Sequence, residues 1–102
     1  MKIILESPYG DNIDRNVKYA QMCMRDSIER GEFPYASHLM LPGVLNDNNK
    51  LERKIGIEIG LEWGKCAAKT VVYRDLGITK GMQIGIESAV ANGRPVEYRK
   101  LY

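Results

Sequence analysis

Two kinds of hydrophobic pattern alternate along the chain: short continuous apolar runs, and longer stretches where apolar residues return every three or four positions. The first run, "KIILE" at residues 2–6, ends in the turn formers "SPYGDN" and predicts a buried strand leaving into a loop. From Asp11 or Asn12, either a good N-cap, Ile13, Val17, Ala20, Met24 and Ile28 keep helical spacing until Gly31. "FPYASHLML" is a second apolar segment, expected as a strand to about Ser37 with Tyr35 in the core, and "LPGVLNDNN" reads as a loop with room for one helical turn. Asn48 or Asn49 caps the next helix, running to about Trp63 with Leu51, Ile55, Ile59 and Trp63 on one face. "KTVVYRD" is a β-branched, aromatic strand and "LGITKG" the loop after it. Thr79 caps a last helix that ends at Asn92–Gly93. "RPVEYRKLY" then supplies a final strand, with Pro95 at the position where a missing N–H is tolerated.

The order β-α-β-α-β-α-β implies right-handed crossovers and a parallel sheet. The expected fold is therefore α/β: a small Rossmann-like or flavodoxin-like domain of about four parallel strands with helices on both faces, spanning residues 1–102 as one unit. In such sheets ligands bind beyond the carboxyl ends of the strands, where strand order reverses. That rule nominates three regions: Ser7 to Asn12, the neighbourhood of His38, and Asp75 to Met82.

Composition narrows the function. A net charge of +2, with basic residues scattered among acids, offers no stripe for a nucleic-acid backbone. No run approaches the roughly 20 apolar residues of a membrane span, and "KIILE" is too short for a signal segment. Cys23, Cys66 and the single His38 have no metal-ligand spacing. The expectation is a cytoplasmic protein without metal or cofactor, its two thiols reduced and buried as small hydrophobes.

The nominated loops carry residue types suited to a phosphorylated or sugar-bearing ligand. In the first, Ser7, Tyr9, Gly10 and Asn12 lead into a helix N-terminus whose free N–H groups, with Arg15 one turn in, suit phosphate or ribose oxygens. In the third, Asp75 offers an acceptor for ribose hydroxyls, Gly77 and Gly81 allow close approach, and Thr79, Lys80 and Met82 complete a wall. Each loop alone is also what an ordinary strand-to-helix turn requires. His38 is a floor contact or an acid–base group, or else a packed histidine. Gly56, Gly60 and Gly64 fall along one helix face, which calls for close backbone approach, either within the chain or at a helix–helix interface of a homo-oligomer shared by Gly81 and Gly85.

Taken together, "ESPYGD…N", "SHLMLPGVLNDNN", "ERKIGIEIGLEW", "VVYRDLGITKGM" and "IESAVANGRPVEYR" resemble a small family of uncharacterised proteins frequent in bacteria and their phages. That family is similar to the nucleoside 2-deoxyribosyltransferase-like superfamily. The resemblance implies a Rossmann-like fold and a pocket for a nucleoside, nucleotide or ADP-ribose-like molecule. In those transferases a glutamate near the start of the last helix attacks the anomeric carbon and a loop aspartate assists, here matched by Asp75. Aligning the "GRPV" end of "GMQIGIESAVANGRPV" puts Gly85 at or next to the nucleophile position. Glu87 lies two residues on, about 200° round the helix, and is expected to point away.

A glycine cannot act as a nucleophile. The expectation is therefore binding of a nucleotide-derived molecule without turnover, in its most pointed form a phage sponge that sequesters an immune signal. The alternative is a deoxyribosyltransferase or N-glycosidase in which Glu87, or Glu6 from the end of the first strand, supplies the carboxylate. A structural or interaction module is the third possibility.

Overall fold

The computed structural model describes all residues, 1–102. Strand β1 (Lys2–Glu6) leads to helix α1 (Ile13–Glu29), strand β2 (Phe33–Tyr35) and a single helical turn, α2 (Ser37–Met40). Helix α3 (Lys50–Gly64), strand β3 (Lys69–Tyr73), helix α4 (Lys80–Ala91) and strand β4 (Val96–Arg99) follow. The four strands are all parallel in the order β2-β1-β3-β4, so the order reverses between β1 and β3. This is the Rossmann-like α/β architecture expected, with helices on both faces.

Strand alternation divides the core. Ile3, Leu5, Val71 and Tyr73 point to the α1 face, where Tyr19 and Cys23 cover them. Val72 points the other way, against Met82 and Ile86 of α4. Asn12 caps α1 by accepting from the Arg15 N–H at 3.2 Å, and Asn49 caps α3 by accepting from the Leu51 and Glu52 N–H groups. Thr79 caps α4 through the Met82 N–H.

Three details differ from the pattern-based expectation. The second strand stops at Tyr35, and the helical turn falls at Ser37–Met40, ahead of the "LPGVLNDNN" loop. Helix α1 buries Asn16, Tyr19, Ala20, Cys23 and Ser27, while Ile13 and Ile28 stay exposed. Polar residues own that face because each is satisfied: Asn16 Nδ2 donates to the carbonyls of Tyr9 and Gly10, and Ser27 donates to Glu32. Cys23 is buried as expected, but Cys66 lies exposed just after α3.

An ionic cluster lies over β4 on the α1 face. The Arg99 guanidinium donates to both oxygens of Glu32, at 2.8 and 2.6 Å, and also pairs with Glu97. Lys69 bridges Glu32 and Glu97, and Tyr73 donates to Asp26. The Arg99 hydrogen bonds, against the effect of burial, hold the Glu32 carboxyl down at about 2.

Replacing Arg99 by Met takes both guanidinium hydrogen bonds from Glu32, leaving Lys69 as its cation, and should lower stability by about 1.5–3 kcal/mol in urea unfolding at pH 7. Glu32 ionises more readily folded than unfolded, so its stabilisation is present above about 4.5 and is lost as pH falls toward about 2. The Arg99→Met chain should therefore show a flatter acid limb; equal stability at pH 7 would contradict the role given to this pair.

Candidate functional site

Glu6 is the last residue of β1, at the reversal of strand order, and alternation turns its side chain to the α3/α4 face. There a cavity of about 80 Å³ lies between the two helices and the sheet. The sheet side contributes Ile4, Glu6 and Tyr35, with Ser37 from α2 and Arg94 from the link between α4 and β4. The helices contribute Ile57, Gly60 and Leu61 from α3, and Gly81, Ile84 and Gly85 from α4.

The central feature is how Glu6 meets α4. A Cβ on residue 85 would overlap Glu6 Oε2 outright and stand 2.6 Å from its Cδ. The Glu6 carboxyl thus fills the space that any side chain at position 85 would take. Desolvation between the sheet and the two helices pushes its pKa up to about 8, the positive charge of Arg94 opposing only in part, and no hydrogen bond holds the carboxylate form. Near neutral pH Glu6 is therefore mostly a neutral acid, able to donate a hydrogen bond as well as accept one.

Arg94 is pinned from the floor. Its Nε donates to Thr70 Oγ1 at 2.9 Å and its Nη1 to the Gly64 carbonyl at 2.7 Å. The guanidinium packs on Gly64, where a Cβ would stand 3.0 Å from Nη2. Tyr35, half-buried, turns toward the cavity and stacks on Trp63 with ring centroids 5.6 Å apart.

The nominated residues fall into separate groups. Gly81 lines the cavity, as does Glu6. Ser7, on the residue after Glu6, is buried and hydrogen-bonded to His38 Nε2 at 2.6 Å, and burial holds His38 down at about 4, hence uncharged at neutral pH. Tyr9 and Gly10 use their carbonyls on Asn16, Asn12 caps its helix, and Arg15 donates to the Asn16 side chain. Asp75 carries structure: its carboxylate accepts from the Tyr19 hydroxyl at 2.5 Å and from the N–H groups of Leu101 and Tyr102. Gly77 adopts the left-handed backbone its turn needs, and Thr79 is the cap of α4. Lys80 is exposed, and Met82 is a core residue against Val72 and Ile86 rather than part of a ligand wall. Glu87 is exposed and outside the cavity, on the outward side its helical phase predicts.

The glycine stripe of α3 is taken up inside the chain: Gly56 faces Leu41 and Leu45, Gly60 faces Ser37 and Gly64 faces Arg94. The apolar residues left open on that helix are Leu51, Ile55 and Trp63. No helix is long and apolar enough to cross a membrane, and no cluster of three or more histidine, cysteine or acidic side chains forms anywhere.

Sequence reasoning missed Arg94, Tyr35 and Ser37 as cavity residues. The one signal was indirect: a glutamate closing an apolar strand, paired with a glycine where an acid was expected.

Comparison with known proteins gives a family and a fold. The family model described as "Domain of unknown function (DUF7768)" matches residues 1–99. A search of curated proteins finds no match. Among solved structures, the chain is similar to a 2-deoxyribosyltransferase from the psychrotolerant bacterium Bacillus psychrosaccharolyticus. The TM-score is 0.70 at 20% identity, covering 98% of this chain and 72% of the transferase chain. At that identity the likeness speaks for the fold.

The Glu6–residue 85 contact makes two predictions. Gly85→Ala should destabilise by about 1–3 kcal/mol, as overpacking does, and the penalty should vanish in a Glu6→Ala background when measured as a double-mutant cycle. Glu6 keeps its proton longer folded than unfolded, so its contribution is fully present below about 4.5 and is lost as pH rises to about 8. Thermal melts of Glu6→Gln should accordingly match the parent at pH 4 and exceed it at pH 8; the opposite ordering would overturn the burial assigned to Glu6.

Proposed function

From the premise that the chain belongs to the DUF7768 family and shares the fold of a deoxyribosyltransferase, we propose that it acts on the N-glycosidic bond of a nucleoside or nucleotide, with Glu6 as the reacting carboxylate. The carrying observation is the position of that carboxyl. By resemblance, the superfamily nucleophile belongs at or next to residue 85; here residue 85 is glycine, and the Glu6 carboxyl fills the vacated space from the opposite wall. The acid is moved from helix to strand rather than lost.

The chemistry needs the ionised form. Glu6 Oε attacks the anomeric carbon, forming a glycosyl ester, while the carbon–nitrogen bond breaks and its electron pair goes to the departing base, which takes up a proton from solvent. A second base, or water, then attacks the same carbon and releases the Glu6 carboxylate. Glu87, outside the cavity, has no part. The cavity of about 80 Å³ is smaller than a nucleoside, so the ligand enters it only in part and the base lies outside it. Assembly of two or more copies through the open apolar side of α3 would extend that outer wall, and belongs to the same proposal.

One observation favours a second reading. Near neutral pH Glu6 is mostly protonated, and a neutral acid holds a sugar by hydrogen bonds without attacking it. On that reading the protein retains a nucleotide-derived ligand unaltered, as a sponge for an immune signal would.

Chromatography of a deoxynucleoside mixed with a different free base distinguishes them. Exchange should appear, rise with pH through about 8, fall at least about a hundredfold in Glu6→Gln and persist in Glu87→Ala. Tight binding with full recovery of unaltered ligand would favour retention, and exchange surviving Glu6→Gln would exclude the role given to Glu6.

A further inference from the structure

Arg94 is the one cation on the cavity, and it takes part in none of the seven ion pairs of the chain. Its Nε and Nη1 are spent on Thr70 and Gly64, which fix the guanidinium while leaving Nη2 without a hydrogen bond. Thr70 is the second residue of β3 and Arg94 precedes β4, so this charge stands toward the amino end of the strands, with Glu6 at the carboxyl end of β1.

Arg94 is only half-buried and no buried polar atom lacks a partner, so its free N–H groups remain open to water or to a ligand. Besides Arg94, the residues that line this space are Ile4, Tyr35, Ser37, Glu6, and the apolar or glycine positions of α3 and α4. They offer donors around one fixed positive charge and no second cation or fixed anion.

We propose that the Arg94 end of the cavity receives a small oxyanion, a phosphate or carboxylate group carried by the ligand. This rests on reading the cavity as the ligand site, and it makes the preferred ligand a phosphorylated or acidic sugar derivative rather than a neutral nucleoside. A guanidinium held at two points presents its remaining N–H groups in a fixed direction, which suits oxyanion recognition. Glu6 regulates the subsite: as a neutral acid it leaves the charge of Arg94 to the ligand, and once ionised it competes for that charge and repels the anion.

Inorganic phosphate and acetate are the probes, used with the full chain. Trp63, the only tryptophan, stacks on cavity-lining Tyr35 and reports occupancy by fluorescence, with calorimetry beside it. Saturable binding of one or both is expected. For acetate, whose charge is constant over this range, affinity should be about tenfold weaker at pH 9 than at pH 7, and Glu6→Gln should remove that difference. Arg94→Met should abolish binding. Arg94→Lys, which keeps the charge but loses the fork, should weaken it at least about tenfold, with circular dichroism confirming that both variants fold. No saturable signal from either anion, or binding indifferent to both Arg94 variants, overturns the proposal. Base exchange without anion binding would sink this inference and leave the glycosidic reading standing.

Discussion

Residues 6 and 85 compete for one volume. Glu6 closes β1 and Gly85 sits in the second turn of α4, and the backbone distance between strand and helix leaves room for the side chain of only one. Glycine within a helix costs about 1 kcal/mol against alanine. Here it permits a carboxyl to enter from the sheet. The cavity, its polarity and its relation to the helix all follow from that single exchange.

The two faces of the sheet treat their inward-facing acids, buried Glu32 and half-buried Glu6, in opposite ways. Glu32, on the α1 side, accepts from Arg99, Ser27 and Lys69 and ionises far below the usual range. Glu6, on the α3/α4 side, has no hydrogen-bonded partner, and the nearest cation is committed elsewhere, so its pKa rises. The first arrangement stabilises the fold on the α1 side of β4. The second contributes nothing favourable to folding at neutral pH, and its place at the reversal of strand order is the ground on which Glu6 is proposed as a ligand group.

Much of the fold was legible because its signals are local. Apolar runs located all four strands, and Asn12, Asn49 and Thr79 announced the helix starts. The buried face of α1 was not legible, since Asn16 and Ser27 are buried only because distant carbonyl and carboxylate groups receive them. The site was less legible still. Asp75 looked like a ligand group from its place at a strand end, yet Tyr19 and a tail 26 residues further on occupy its oxygens. Arg94 carries no local signal of its place, because only the fold connects it to Thr70 and Gly64. Only the pairing of Glu6 with Gly85 was foreshadowed, and its meaning required knowing how closely α4 crosses β1.

The most direct measurement is a carbon-detected NMR titration of the Glu6 side-chain carboxyl, assigned by its disappearance in Glu6→Gln. An unpaired carboxyl enclosed between β1 and Gly85 should titrate near 8. A midpoint near 4.5, the value of an ordinary solvated glutamate, would show that Glu6 points to water and would contradict the account.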